Sequence, residues 1–197
     1  MAVLKNLNIV FSNNVLEQKA SELIRRYACQ RKWSPSLPIP LDSLIEHTLD
    51  LCIEFDAIEE PPGTKIWGCI QPGRKTITLN QNHVETFAEC PGLERFTLGH
   101  EVGHWIMHVD QAELSQPSLF DSSSEIIVCR DGDDSTQERV ADRFSAFLLM
   151  PRDLMRAELL KHDVMSRAGF RDFAAKTKVS NSALSLRLNK LGVKHYE

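Results

Sequence analysis

Glu94-Arg-Phe-Thr-Leu-Gly-His100-Glu101-Val-Gly-His104-Trp-Ile-Met-His108 is the stretch on which the reading of this chain turns. It contains the pattern His-Glu-x-x-His. Residues four apart on a helix stand one above the other, so His100 and His104 point the same way and can hold one divalent ion. Glu101 lies about 100° round such a helix, where it can reach a metal-bound water without ligating the metal, the position of a general base. The flanking residues Phe96, Leu98, Val102, Trp105, Ile106 and Met107 leave almost no polar face, which predicts a core helix in which unpartnered imidazoles would be costly. Gly99 and Gly103 each weaken a helix by about 1 kcal/mol relative to alanine, so something is expected to approach that surface closely.

A third ligand is needed, and Ser135-Thr136-Gln137-Glu138 opens the next strong helical pattern, in which Ala141, Phe144, Ser145 and Leu148 share a face before Pro151. Ser-x-x-Glu is a capping box, which would turn the Glu138 carboxylate back onto a backbone amide. Ligation competes for the same oxygens, and Glu138 is the best-placed helical carboxylate to complete a two-His, one-Glu zinc site with its fourth position open for water. Asp142 lies one turn further on and can accept a hydrogen bond from the free ring nitrogen of a zinc histidine.

Around these helices, residues 14–30 place Leu16, Ala20, Leu23, Ile24 and Tyr27 at helical spacing. Pro35, Pro38 and Pro40 then break the chain, with Asp42 or Ser43 as candidate caps for a short helix to Leu49. Three strands are predicted, over Leu51 to Ile58, Thr64 to Gln71 and Lys75 to Asn80, separated by Pro61-Pro62-Gly63 and Gln71-Pro72-Gly73-Arg74, in a small antiparallel sheet. An open edge of such a sheet can bind an extended peptide through its main chain. Residues 109–134 read as a polar loop with one apolar island, Ile126-Ile127-Val128-Cys129, that is a candidate short strand.

With 197 residues, 42% of them hydrophobic, the chain can bury one core and carry a small extension. We expect a domain over 1–150 and a basic helical extension over 151–197. Nothing reads as a secretion signal or membrane span, so a cytoplasmic protein without a membrane partner is expected. Five cysteines, with no Cys-x-x-Cys pair, argue against a disulfide framework and suggest reduced, mostly buried thiols. The net charge of −4 hides an asymmetry, since residues from 151 onward carry ten Lys or Arg against five Asp or Glu, a balance of +5. Phe170 to Gly192 reads as helix, turn, helix, with Ser180 or Asn181 as the second N-cap. Two readings stay open: a helix-turn-helix-like DNA reader, or two helices packed on the core, since Leu184, Leu186, Leu188 and Leu191 leave little surface for bases.

Taken together, His100-Glu-Val-Gly-His104 after Arg95-Phe-Thr-Leu98, followed by Glu138-Arg-Val-Ala-Asp142-Arg-Phe-Ser-Ala-Phe-Leu-Leu-Met-Pro151, resembles the ImmA/IrrE family of bacterial and phage metallopeptidases. The CapP-like subgroup associated with antiphage-defence operons is one candidate within it. The resemblance implies an α+β, zincin-like fold and a zinc endopeptidase. It further implies a helix-turn-helix (XRE-type) repressor as substrate, cleaved under DNA damage or another stress to release prophage, mobile-element, repair or defence genes. His100, His104 and Glu138 match the family's zinc ligands and Glu101 its catalytic base. Two positions depart: Gly99 stands where alanine is common, and Val140 where a second carboxylate is common. The transition-state stabiliser stays unassigned, with His108 read as structural. The +5 tail, joined to the DNA-damage association, suggests single-stranded DNA as an activating ligand. Cys129, nine residues before Glu138, can swing a thiolate onto the open zinc position and silence the enzyme, or can simply be a buried loop thiol. The competing function is a DNA-binding regulator whose zinc site is structural or vestigial, against which Glu101 argues, since a structural site needs no carboxylate beside a ligand.

Overall fold

The computed structural model describes residues 11–110, 127–130 (main chain) and 135–196. The sequence forms α1 (Asn13–Arg31), α2 (Leu41–Thr48), β1 (Cys52–Asp56), β2 (Ile66–Gln71), β3 (Thr76–Asn80), α3 (Val84–Glu89), α4 (Pro91–Met107), β4 (Ile127–Arg130), α5 (Thr136–Leu149), α6 (Arg152–Leu159), α7 (Arg167–Thr177) and α8 (Asn181–Lys190). This is a mixed α+β fold. Its sheet has four strands in the order β1-β3-β2-β4, so the apolar island does supply a strand.

The sheet is not wholly antiparallel, as its hairpin turns suggested. β2 pairs antiparallel with β3 and with β4, but β1 runs parallel to β3, with Cys52 opposite Thr76 and Asp56 opposite Asn80. The cause is the link 57–65, which crosses the end of β3 to start β2 on its far side. Asn80 fixes that crossing: fully buried, it accepts from the Ile58 amide through Oδ1 and donates from Nδ2 to the Ile66 carbonyl at 2.8 Å. Glu60, within the link, accepts from the Ile66 amide at 2.7 Å and meets His83 Nε2 at 2.6 Å. A glutamate and an asparagine therefore take up the backbone groups that the crossing leaves over.

α4 is buried on every side from Thr97 to Trp105, as its composition requires. It packs chiefly against α5 and also touches the sheet. α1 covers the other side of α5. α2 begins at Pro40 with no side-chain cap: Asp42 sits in its first turn, and the Ser43 hydroxyl is used by Tyr27. Cys69 is a buried free thiol, whereas Cys29, Cys52 and Cys90 are exposed, contrary to the expectation of mostly buried cysteines. Cys29 looks outward from α1, Cys52 starts an edge strand and Cys90 joins α3 to α4.

The C-terminal helices lie against the rest of the chain. A Cβ on Gly92, in the first turn of α4, would come within 2.9 Å of the Ser180 amide. Arg187 of α8, 3% exposed, donates to the Met150 carbonyl, pairs with Glu17 of α1 and covers the Phe147 ring. Ser180 caps α8 through its side chain. Leu184 and Leu188 are buried, but Leu186 is exposed rather than packed.

Candidate metal centre

α4 and α5 come together where α4 lacks side chains. A Cβ on Gly103 would stand 2.9 Å from Ala141 Cα, and one on Gly99 would stand 2.5 Å from Ser145 Oγ. Close approach, the expectation drawn from these glycines, brings the polar faces of the two helices into one buried cluster.

At its centre, His100 Nε2 and His104 Nε2 are 2.9 Å apart. Glu138 Oε2 is 2.9 Å from the first and its Oε1 is 3.1 Å from the second. All three residues are buried, and among the described residues they form the group able to hold a metal ion. The Ser135 hydroxyl accepts from the Glu138 amide at 3.3 Å, which is half of a capping box. Both carboxylate oxygens of Glu138 face imidazoles instead of completing it. His100 Nδ1 lies 2.9 Å from Asp142 Oδ1 and so donates to that carboxylate. A neutral His100 ring then presents a lone pair at Nε2 to a carboxylate oxygen and to a second imidazole. Acceptors converging in this way are reconciled by a cation, which makes the donor set fit a metal ion.

Charge shapes the cluster in consistent directions. Burial raises the Glu138 carboxyl, but the His100 and His104 imidazoles at its two oxygens prevail and hold it down at about 2. Burial lowers His104, favouring its neutral, ligating form. Glu101 is fully buried, and neither of its oxygens has a hydrogen-bond partner among the described residues. Burial pushes its carboxyl up to about 8, with His100 opposing and Glu138 reinforcing the rise.

Cys129 is placed by its main chain in β4, opposite Gly68 of β2; its side chain lies outside the described residues. A Cβ on Gly68 would meet Thr97 Cγ2 of α4 at 3.0 Å, one helical turn before Glu101. That register position is therefore beside the metal-binding helix. His108 was read from the sequence as structural, and its burial marks it out more strongly than its place at the helix end did. It is 2% exposed, its ring is 5.5 Å from that of His104, and neither nitrogen makes a hydrogen bond among the described residues. Burial and the neighbouring His104 push it down to about 4, and the Gln137 backbone lies close enough to oppose this without reaching hydrogen-bond geometry.

The model of peptidase family M78, described as the IrrE N-terminal-like domain, matches residues 68–189, more than half of the chain. The chain belongs to the ImmA/IrrE family. This is a metallopeptidase family, and the match runs from Gly68 of β2 through the metal centre into α8. Among solved structures, a Mycobacterium tuberculosis transcriptional regulator shares the fold, with a TM-score of 0.51 and 15% identity over 90% of this chain and 48% of its own. The chain thus spans about half the length of that structure. No curated protein matches the sequence. Among the described residues, no helix is long and apolar enough to cross a membrane.

Proposed function

We propose that this ImmA/IrrE member is a zinc endopeptidase that cleaves a helix-turn-helix (XRE-type) repressor under DNA damage or another stress. Cleavage releases a prophage, mobile-element, repair or antiphage-defence operon. The observation that carries the reading is the convergence of His100, His104 and Glu138, with Glu101, a carboxylate that has no hydrogen-bond partner among the described residues, beside the two histidines on buried α4. His100, His104 and Glu138 would hold the zinc, and Asp142 fixes the His100 tautomer that leaves Nε2 free to ligate. The metal supplies Lewis acidity toward a carbonyl and acidity to water. Glu101 takes a proton during attack and returns it to the leaving amine. Its burial excludes bulk water from that transfer.

The test is co-incubation with the repressor encoded nearest the protease, with and without Glu101→Gln. The variant should keep metal and fold and lose cleavage, because an amide preserves shape but accepts no proton there. Cleavage by the variant at the wild-type rate would remove Glu101 from the mechanism, whereas no cleavage by the wild type would favour a regulator with a vestigial site. Glu138→Ala should lower bound zinc, and retention at wild-type affinity would exclude it as a ligand.

Regulation belongs to the same proposal. Cys129 would occupy the open zinc position in the resting enzyme, a reading supported by its main-chain register beside α4. Cys129→Ala should raise basal cleavage without raising zinc content; unchanged basal activity would leave it a packing residue. Single-stranded DNA on the basic tail is the activating ligand, and its effect on cleavage should fall steeply with salt.

A further inference from the structure

We propose that a second site, between α7 and α8 and away from the metal centre, binds a nucleotide through its phosphate and base. It is a cavity of about 440 Å³, a size suited to a small ligand. Arg167 and Arg171 line it from α7. Being four apart, they share a helix face, where like charges repel. Among the described residues neither forms an ion pair, and no acidic side chain lines the cavity. Two guanidinium groups lining one cavity, with no counter-ion among the described residues, suit a phosphate, whose oxygens match their planar donors.

The opposite wall is neutral and polar. Ser182 and Ser185 of α8 line it, close to the helix start, where free backbone amides add positive potential. Ser185 is set in place by His195: the imidazole Nδ1 donates to the Val193 carbonyl at 3.1 Å, so Nε2, 2.7 Å from Ser185 Oγ, accepts the hydroxyl proton. The serine oxygen keeps lone pairs for a donor such as an exocyclic amine.

Aromatic rings complete the cavity. Phe170 lines it while stacking on buried His195, with centroids 5.6 Å apart and an interplanar angle of 18°. Tyr196 lines it too, 40% exposed, and its backbone is pinned by a hydrogen bond from its amide to the Val164 carbonyl at 2.8 Å. A cation pair beside exposed aromatic surface favours a phosphate that carries a base over a bare anion.

The proposal locates a ligand site on the tail that the single-stranded DNA reading left general, but it rests on this cavity and not on that reading or on proteolysis. A nucleotide can come free or as part of a strand, and titrations of the full-length protein at low salt separate the two. The probes are inorganic phosphate, 2′-deoxyadenosine 5′-monophosphate and a ten-residue oligodeoxyadenylate with a 5′-phosphate, followed by calorimetry. The mononucleotide should saturate near one per chain and bind more tightly than phosphate. Arg167→Ala and Arg171→Ala should each weaken it roughly tenfold or more. Arg171→Lys should weaken it less, and Lys190→Ala, at the other end of α8, should leave it unchanged. Tyr196→Ala should weaken the mononucleotide and spare phosphate. An oligonucleotide no tighter than the mononucleotide identifies a free nucleotide; one much tighter, with a steep salt dependence, identifies a strand. Melting temperatures within a few degrees of wild type show that the variants are folded. The proposal is overturned if none of the three probes saturates, or if both arginine variants bind as wild type does. Because neither zinc nor cleavage is read, that result would leave the peptidase reading standing.

Discussion

Along the seam of α4 and α5, two helices meet because side chains are missing; where α8 meets α1, they meet because charges are present. Gly99 and Gly103 let the α5 backbone come close enough for Glu138 to reach two histidines. At the other seam, Arg187 is almost fully buried and joins Glu17, which also pairs with Arg152 at 2.8 Å. At its glycines the first seam is closed by fit. The second depends on ionisation, so acid and substitution test it differently.

The largest effect is expected at the charged seam. Arg187→Ala removes the buried one of Glu17's two arginine partners and leaves the Met150 carbonyl without its donor. Breaking a buried pair in this way costs about 3–5 kcal/mol, read as a shift in urea midpoint. A shift near zero would mean that α8 is held by its leucines alone. At the fitted seam, Gly103→Ala places a methyl 2.9 Å from Ala141 Cα, a backbone atom that cannot turn aside. Overpacking of this kind costs about 1–3 kcal/mol, and zinc content should fall with stability because the same approach sets the ligand spacing. Full zinc binding by this variant would show that the seam can open without disturbing the site.

The two seams were not equally legible in the sequence. His100, His104, Glu138 and Asp142 were readable because helical spacing fixes which residues share a face, and Ser135 and Pro151 bracket α5 with a cap and a stop. The Arg187 and Glu17 pair spans 170 residues, and no local pattern records a contact of that length. The parallel pairing of β1 was hidden for a related reason. Alternation tells which face of a strand is buried and is silent about the direction of its neighbour, and the residue that fixes the crossing, Asn80, resembled any strand-ending asparagine. The α7 and α8 cavity needed Tyr196 and Arg167 to be brought together, which again is tertiary information.

Acid sharpens the contrast at smaller cost. Burial alone would raise the Glu17 carboxyl, but hydrogen bonds from Arg152 and Arg187 hold it below its ordinary 4.5. A carboxyl depressed in the folded state stabilises above its unfolded pKa, and that stability is lost as pH falls through the folded value. Melting temperature should therefore drop below about pH 4.5 more steeply in the wild type than in Glu17→Gln. Parallel pH profiles would mean that Glu17 is not the group responsible.

The smallest effect, and the sharpest test of fit, lies at Gly99. Alanine there gains about 1 kcal/mol of helix propensity over glycine. Its methyl, however, would stand 2.5 Å from Ser145 Oγ, a hydroxyl that donates to the Phe96 carbonyl at 2.9 Å and cannot rotate away without losing that bond. The two terms oppose each other, so Gly99→Ala alone should change stability by less than about 1 kcal/mol. Ser145→Ala removes the obstruction, and in that background Gly99→Ala should stabilise by about 1 kcal/mol. The coupling between the two substitutions, read from a double-mutant cycle in urea, should be favourable and on the order of 1 kcal/mol. Such coupling would explain why this chain carries glycine at position 99: Ser145 occupies the space. Strict additivity would mean that the helices separate slightly to admit the methyl, and the approach at Gly103 alone would then hold Glu138 against its histidines.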